Sequence, residues 1–180
     1  MKTPLLSLSA MLLIGCSQST RALPPVSGFD AARYAGTWYE IARFPHRFER
    51  GLIYVTAEYA IKDDNSIGIV NKGYDPVRRK WKRARARARF PGKRDIGLLK
   101  VTFFRPFSAP YKVFHLDKER YAYALVTSGS YDYLWILSRT PHMEQGTLDS
   151  LIDIAAKAGF DVSKLEMVEQ ATSENPQPLG

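Results

Sequence analysis

Between Thr37 and Ser138 apolar residues recur in short runs, largely at alternate positions, and each run ends in turn-forming residues. The runs Thr37–Phe44, Tyr54–Lys62, Ile67–Tyr74, Lys80–Phe90, Gly97–Phe104, Tyr111–Leu116, Tyr121–Thr127 and Tyr133–Ser138 read as strands. Asp63-Asp64-Asn65, Asp75-Pro76, Phe90-Pro91-Gly92, Ser108-Ala109-Pro110, Asp117-Lys118-Glu119 and Ser128-Gly129-Ser130 separate them. Eight such runs with no long helical pattern predict an all-β protein, an eight-stranded antiparallel up-and-down barrel wide enough for one small ligand. The period then changes. Leu148, Leu151, Ile152 and Ala155 fall on one face of a helix that packs outside the barrel, with Thr140 as its N-cap, Pro141 at its first position and Gly159 as its stop. Phe160–Val168 adds a last short strand, and the Pro-containing tail 171–180 reads as disordered.

The first residues follow a different logic. Lys2 precedes an apolar stretch, Leu5 to Ile14, that is too short for a transmembrane helix and ends in Leu13-Ile14-Gly15-Cys16. These residues resemble a bacterial lipobox, which implies a signal peptide over 1–15, acylation of Cys16 and attachment at the periplasmic face of the outer membrane. An ordinary secretory signal beside a chance cysteine is the alternative. Two or more acyl chains on one residue hold a protein stably to a bilayer, whereas one is marginal. Residues 16–28 then form a tether, and 29–170 one domain.

Composition narrows the chemistry. The chain has 180 residues, 45% apolar and 24% charged, enough to bury a core and stay soluble. Cys16 is the only cysteine, so no intrachain disulfide or cysteine-based metal site forms. His46, His115 and His142 are scattered, and no cofactor is expected. The net charge of +8 falls by one when Lys2 leaves with the signal peptide. In an exported protein that charge points to anionic lipid rather than nucleic acid.

Gly36-Thr37-Trp38-Tyr39-Glu40 carries the G-x-W pattern that opens the first strand of lipocalins, and Arg139, after Tyr133-Leu134-Trp135-Ile136-Leu137-Ser138, stands where that family keeps an arginine. Tyr131-Asp132-Tyr133 loosely matches its D-Y segment. With Trp38 to Gly51 and Asn71-Lys72-Gly73-Tyr74, the span from about Phe29 to Val168 resembles the bacterial outer-membrane lipocalins related to apolipoprotein D. The resemblance implies a barrel floor closed by Arg139 lying across Trp38. It also implies non-catalytic binding, storage or transport of fatty acids or lysophospholipids, by a monomer or weak homodimer.

Family positions set which side chains look inward, because strand side chains alternate. Trp38 inward carries Glu40, Ala42 and Phe44 with it. The expected ligand-binding wall is Ala57, Tyr59, Ile69, Asn71, Val101, Phe103, Tyr111, Val113, His115, Val126, Tyr133 and Trp135, joined by Leu99, Ala124 and Leu137. A barrel filled by these same residues is the competing reading. In Lys82–Arg89, period two puts Arg83, Arg85, Arg87 and Arg89 on one face and three alanines on the other. Four guanidiniums in an apolar lumen would be costly, so the arginines are expected outside, where an anionic membrane surface is a partner for them. His115 invites a role on an anionic head group or haem iron, against that of a satisfied wall histidine. Glu40 and His115 together raise ester hydrolysis as a competing function, and an empty structural barrel is a third.

Overall fold

The computed structural model describes residues 19–104, 106–172 and 178. The segment expected as a signal peptide, Cys16 and most of the expected tail lie outside these residues. Among them the strands are β1 (Gly36–Arg43), β2 (Ile53–Ile61), β3 (Ile67–Asp75), β4 (Lys80–Arg89), β5 (Leu98–Phe104), β6 (Phe107–Leu116), β7 (Tyr123–Thr127), β8 (Leu134–Ser138) and β9 (Glu166–Met167). Consecutive strands pair antiparallel from β2 to β8, β8 pairs β1, and β1 pairs β2, so the first eight close a barrel. The ninth adds to the outer part of β1, at Ala42 and Arg43.

Register slips fall in β1, β2, β5 and β6, and those in β1 and β6 reverse the facings expected from alternation. A bulge places an extra residue on one strand and shifts every later side chain to the opposite face. In β1 the register slips between Glu40 and Ala42. Ala42 and Phe44, expected inside, therefore pack outside with Leu125, Ile136 and the C-terminal helix, while Arg43 turns inward. In β6 the slip falls between Val113 and His115. His115 lies opposite Leu125 on the outer face, and Leu116 takes the inward place opposite Ala124.

α1 (Ala31–Tyr34) is a single turn capped by Asp30, whose Oδ1 accepts from the backbone N–H of Ala32 and Arg33 at 2.8 and 3.2 Å. It carries Tyr34 under the barrel. α2 (Gln145–Lys157) begins later than Thr140-Pro141 predicts. The Thr140 hydroxyl donates to the His142 carbonyl at 2.6 Å, so the residue closes a tight turn instead of capping a helix. Leu148, Leu151 and Ala155 bury against the barrel wall. The helix ends as expected at Gly159 (φ +97°): Gly159 N–H donates to Ala156 O, and Phe160 N–H to Ala155 O. That is a Schellman close, sealed by Phe160 in the apolar layer under the helix.

The expected tether is not free where it is described. Ser19 bridges to Ser130, Thr20 is buried, and the ammonium of Lys112 donates to the carbonyls of Thr20 and Leu23. Further on, Val26 N–H donates to Val113 O, and Gly97 N–H to Val26 O. A Cβ at Gly97 would stand 2.7 Å from Val26 Cγ2 and 3.1 Å from Val113 O, so only glycine lets these three segments meet. Unpaired backbone groups and one buried cation thus hold the segment to the wall.

The floor is built around Trp38, which is fully buried. Arg139 lies 4.0 Å over its ring and donates to the carbonyls of Thr37, Arg33 and Tyr121 at 2.9, 2.6 and 3.2 Å. Trp38 Nε1 donates to Tyr34 O at 2.8 Å. Gly36 adopts φ +96°, and a Cβ there would approach Arg139 Nη1 at 3.3 Å, which gives the glycine of the G-x-W pattern a physical reason. A lysine at 139 keeps the charge but has no planar fork to reach three carbonyls and cover the ring. Arg139→Lys is therefore expected to cost about 2 kcal/mol, read as a lowered urea midpoint at unchanged m-value. An unchanged midpoint would show that the stack does not support the floor.

Candidate functional site

The lumen changes character from floor to mouth. At its base Tyr34, Tyr59 and Tyr111 form a phenol cluster: Tyr111 Oη lies 2.7 Å from Tyr34 Oη and 2.8 Å from Tyr59 Oη. Burial holds all three phenols well above the ordinary tyrosine range, so they stay protonated. Three hydroxyls joined by two hydrogen bonds leave one O–H free to donate to a lumen ligand.

Above them the wall is aliphatic. Ile69, Leu99, Val101, Val113, Ala124 and Val126 are buried in the inner cluster, with Ala57, Ala86 and Trp135 partly buried against it. Along β4 the alanine face grades from fully buried Ala88 through half-buried Ala86 to exposed Ala84. Exposure on this face thus rises steadily from the floor toward the mouth, along side chains that carry only a methyl group. Asn71 sits between Ala57 and Ala84 in the ladder, and its buried Oδ1 has no hydrogen-bond partner among the described residues. β4 and β5 pair only over Arg87–Arg89 and Lys100–Thr102, so the mouthward half of β4 has no ladder partner on that side.

Near the mouth stands a polar network, of which the sequence pattern marks only Glu40 and Trp135. Arg43 Nη1 donates to Glu40 Oε1 at 2.8 Å, and Nη2 to the carbonyls of Glu49 and Leu52 at 2.8 and 3.1 Å. Glu49 Oε2 lies 2.8 Å from His46 Nε2 and accepts from Trp135 Nε1 at 3.3 Å. These contacts fold the loop from Phe44 to Leu52 across part of the opening. Gln170 Nε2 bridges the carbonyls of Glu40 and Val55 at 2.8 and 2.9 Å, where β1 and β2 have separated. Tyr133 stacks on Trp135 with ring centroids 5.9 Å apart, and Phe103 is 49% exposed at the rim. No sequence pattern marks Arg43 as inward, because its position follows from the β1 bulge.

His115 stands outside this lumen. It lines a shallow crevice between the barrel and α2 with Tyr123, Thr147 and Ser150, its ring stacked on Tyr123 at 6.2 Å. Glu40 and His115 lie on opposite faces of the wall, which removes both the acid–base pair and a lumen haem ligand. Among the described residues no three His, Cys, Asp or Glu side chains converge on a metal-sized point. Arg83, Arg85, Arg87 and Arg89 are exposed, and the last two share Asp64 at 3.1 and 2.8 Å.

Burial first, then the neighbouring Glu49 charge, raises the Glu40 carboxyl from 4.5 to about 8 against the pull of Arg43. Burial also opposes ionisation of Glu49, but His46, Trp135 and Arg43 outweigh it and hold that carboxyl low. A carboxyl raised by folding is protonated in the folded chain and ionised in the unfolded one between these two values. The folded state then binds the extra proton, and stability falls as pH rises through that window. Wild-type Tm should drop between pH 5 and 9, and Glu40→Gln, which keeps an acceptor for Arg43, should flatten the profile. Parallel profiles for the two proteins would refute the assignment.

The profile of the lipocalin-like domain matches residues 29–170. The outer membrane lipoprotein Blc of Vibrio cholerae is 45% identical over 170 residues, covering 94% of this chain and 99% of the relative. The protein of the same name from Escherichia coli K12 is 48% identical over 167 residues, covering 92% and 94%. Mouse apolipoprotein D is 31% identical over 155 residues, covering 82% and 81%. Insecticyanin from the tobacco hornworm Manduca sexta shares the fold at a TM-score of 0.67 and 21% identity, covering 86% of this chain and 87% of its own. With its closed eight-stranded barrel, its Trp38–Arg139 floor and these relatives, the chain belongs to the lipocalin-like family.

Proposed function

We propose that this lipocalin carries a fatty acid or a lysophospholipid in its barrel, held at the periplasmic face of the outer membrane by an acylated Cys16. As a lipocalin it binds small hydrophobic molecules and is not an enzyme. The name outer membrane lipoprotein, shared by relatives that match almost end to end, supports the location. The lipobox-like Leu13-Ile14-Gly15-Cys16 supports the anchor.

The observation that supports the ligand class is the stripe Ala84-Ala86-Ala88, a face of small apolar side chains that runs from buried Ala88 in the inner cluster to exposed Ala84 toward the mouth. A tail of about ten methylenes buried along it contributes up to roughly 8 kcal/mol before binding costs, so micromolar affinity is the upper limit for the tail alone. Within that class two details favour a lysophospholipid. Its glycerol hydroxyl can donate to the unpartnered Asn71 Oδ1, which a carboxylate cannot do. The buried Arg43 already has Glu40 and Glu49 around it, so it offers no naked cation to a fatty-acid head.

Titration with a fluorescent fatty acid and a fluorescent lysophospholipid, alongside mass identification of lipid extracted from the purified protein, tests the proposal. Ala86→Trp fills the stripe and is expected to abolish binding of both while the protein stays folded. Asn71→Leu is expected to weaken the lysophospholipid about tenfold and the fatty acid little. Full binding by Ala86→Trp would remove the lumen as the site, and equal losses for Asn71→Leu would remove the head-group assignment.

A further inference from the structure

Large apolar side chains are exposed at one end of the barrel. Phe48 is 66% exposed, Val77 89%, Phe103 49%, Phe104 66% and Phe107 65%. They come from three separate connections, β1–β2, β3–β4 and β5–β6, and strand direction puts all three at the mouth. Phe104 and Phe107 pack edge to face at 5.3 Å on the projecting β5–β6 tip. Leaving such groups in water is costly unless something covers them.

The charge between these tips is positive. Arg47, Arg50, Arg79 and Lys80 are exposed and form no salt bridge among the described residues, and the Arg47 guanidinium lies 4.6 Å over the Phe48 ring. The acids of the same loops are turned inward: Glu49 is held by His46 and Trp135, and Asp75 by Arg78 and Lys82. Among the described residues, Asp132 on the β7–β8 connection and Glu166 and Glu169 beside the ends of β1 and β2 are exposed acids at this end, fewer than the exposed cations there. Down the wall, Arg83 and Arg85 continue the positive surface with no ion pair among the described residues, whereas Arg87 and Arg89 nearer the floor are occupied by Asp64. Useful positive charge therefore concentrates at the mouth.

The described chain also begins at this end. Ser19 bridges to Ser130 and Thr20 N–H donates to Gly129 O, both on the β7–β8 connection at the mouth. Cys16 is three residues earlier, within roughly 10 Å along even a fully extended backbone.

We propose that the mouth is a membrane-docking surface. Phe48, Val77, Phe104 and Phe107 insert at the interface of an anionic phospholipid leaflet, Arg47, Arg50, Arg79 and Lys80 meet its phosphates, and the barrel opens toward the lipid. A leaflet fits better than a second copy of the chain, because mouth-to-mouth pairing would set these cations against their own images, whereas aromatic tips with basic neighbours suit an anionic interface. An anchor at Cys16 would leave from the same side, so a short lead would not have to reach around the barrel. The docking surface rests on the rim alone and does not depend on which lipid the lumen carries.

The test places an environment-sensitive fluorescent amino acid at Phe104 in one full-length protein and at Lys118, on the floor side, in another. Each is mixed with vesicles of phosphatidylglycerol and phosphatidylcholine that include a nitroxide-labelled acyl chain. Position 104 should shift to the blue and be quenched severalfold more than position 118. The difference should shrink in pure phosphatidylcholine, in high salt, and when Arg47, Arg50, Arg79 and Lys80 are all changed to glutamine. Equal quenching at both positions, or none at 104, would overturn the proposal. So would a blue shift at 104 without vesicles that accompanies dimerisation in sedimentation, which would give the rim to a second copy. Ligand uptake measured in vesicle-free buffer separates failure of the rim from failure of the carrier reading.

Discussion

The guanidinium of Arg139 over the indole of Trp38 is the contact on which the rest of the barrel depends. Its three carbonyl acceptors belong to α1, β1 and the turn before β7, and the residue itself follows β8, so one side chain ties together four stretches of chain. A planar cation with several fixed donors suits such a junction, and the aromatic face shields it from water. Because Trp38 is pinned inward on β1, the facing of β1 and of its partners β2 and β8 follows from it. Tyr34, tilted against the same indole with ring centroids 4.7 Å apart, then sets the depth at which the phenol cluster begins. With the floor sealed in this way, everything soluble that enters the lumen must come from the other end or the unpaired mouthward half of β4.

How far the sequence could be read depends on where this parity propagates undisturbed. From Trp38 it reaches Ala57, Tyr59, Ile69 and Asn71 across uninterrupted ladders, and the alternation of arginine and alanine on β4 needs no reference residue. It fails at two bulges. Neither Glu40-Ile41-Ala42 nor Val113-Phe114-His115 contains glycine or proline, so nothing local announces the extra residue. What fixes both slips is tertiary: α2 covers Ala42, Phe44, Leu125 and Leu134 and selects the register that gives it an apolar bed. The same reasoning accounts for Thr140-Pro141, a good helix start by local rules that here closes a turn. The N-terminal segment shows the limit of composition. Ser19 to Gly28 looks like a linker, yet Lys112 and the β5–β6 backbone hold it, and those groups lie about ninety residues away in sequence.

The first bulge also sets the lumen's electrostatics. Without it Arg43 would point outside, and Glu40 would be an isolated buried carboxyl. With it, arginine and two carboxyls share one network, in which Glu40 keeps its proton and Glu49 its charge. Such a set is close to neutral, which avoids the cost of an uncompensated buried ion. It also holds the Phe44–Leu52 loop against Trp135, so the residues that neutralise the lumen are those that position one lobe of its rim.

That shared role joins the interior to the surface. Holding Glu49 against His46 and Trp135, and Asp75 against Arg78 and Lys82, occupies the acids of these loops and leaves Arg47, Arg50, Arg79 and Lys80 without an ion pair among the described residues. The exposed loops are thus left basic by the same contacts that order them. On the wall the opposite arrangement holds: Asp64, on the floor-side β2–β3 turn, reaches Arg87 and Arg89 and quenches the far half of the arginine row. A uniform ladder of four arginines would favour lying sideways on an anionic surface. Pairing half of it near the floor shifts the free charge to the mouth, where the apolar tips are, and so favours the upright orientation.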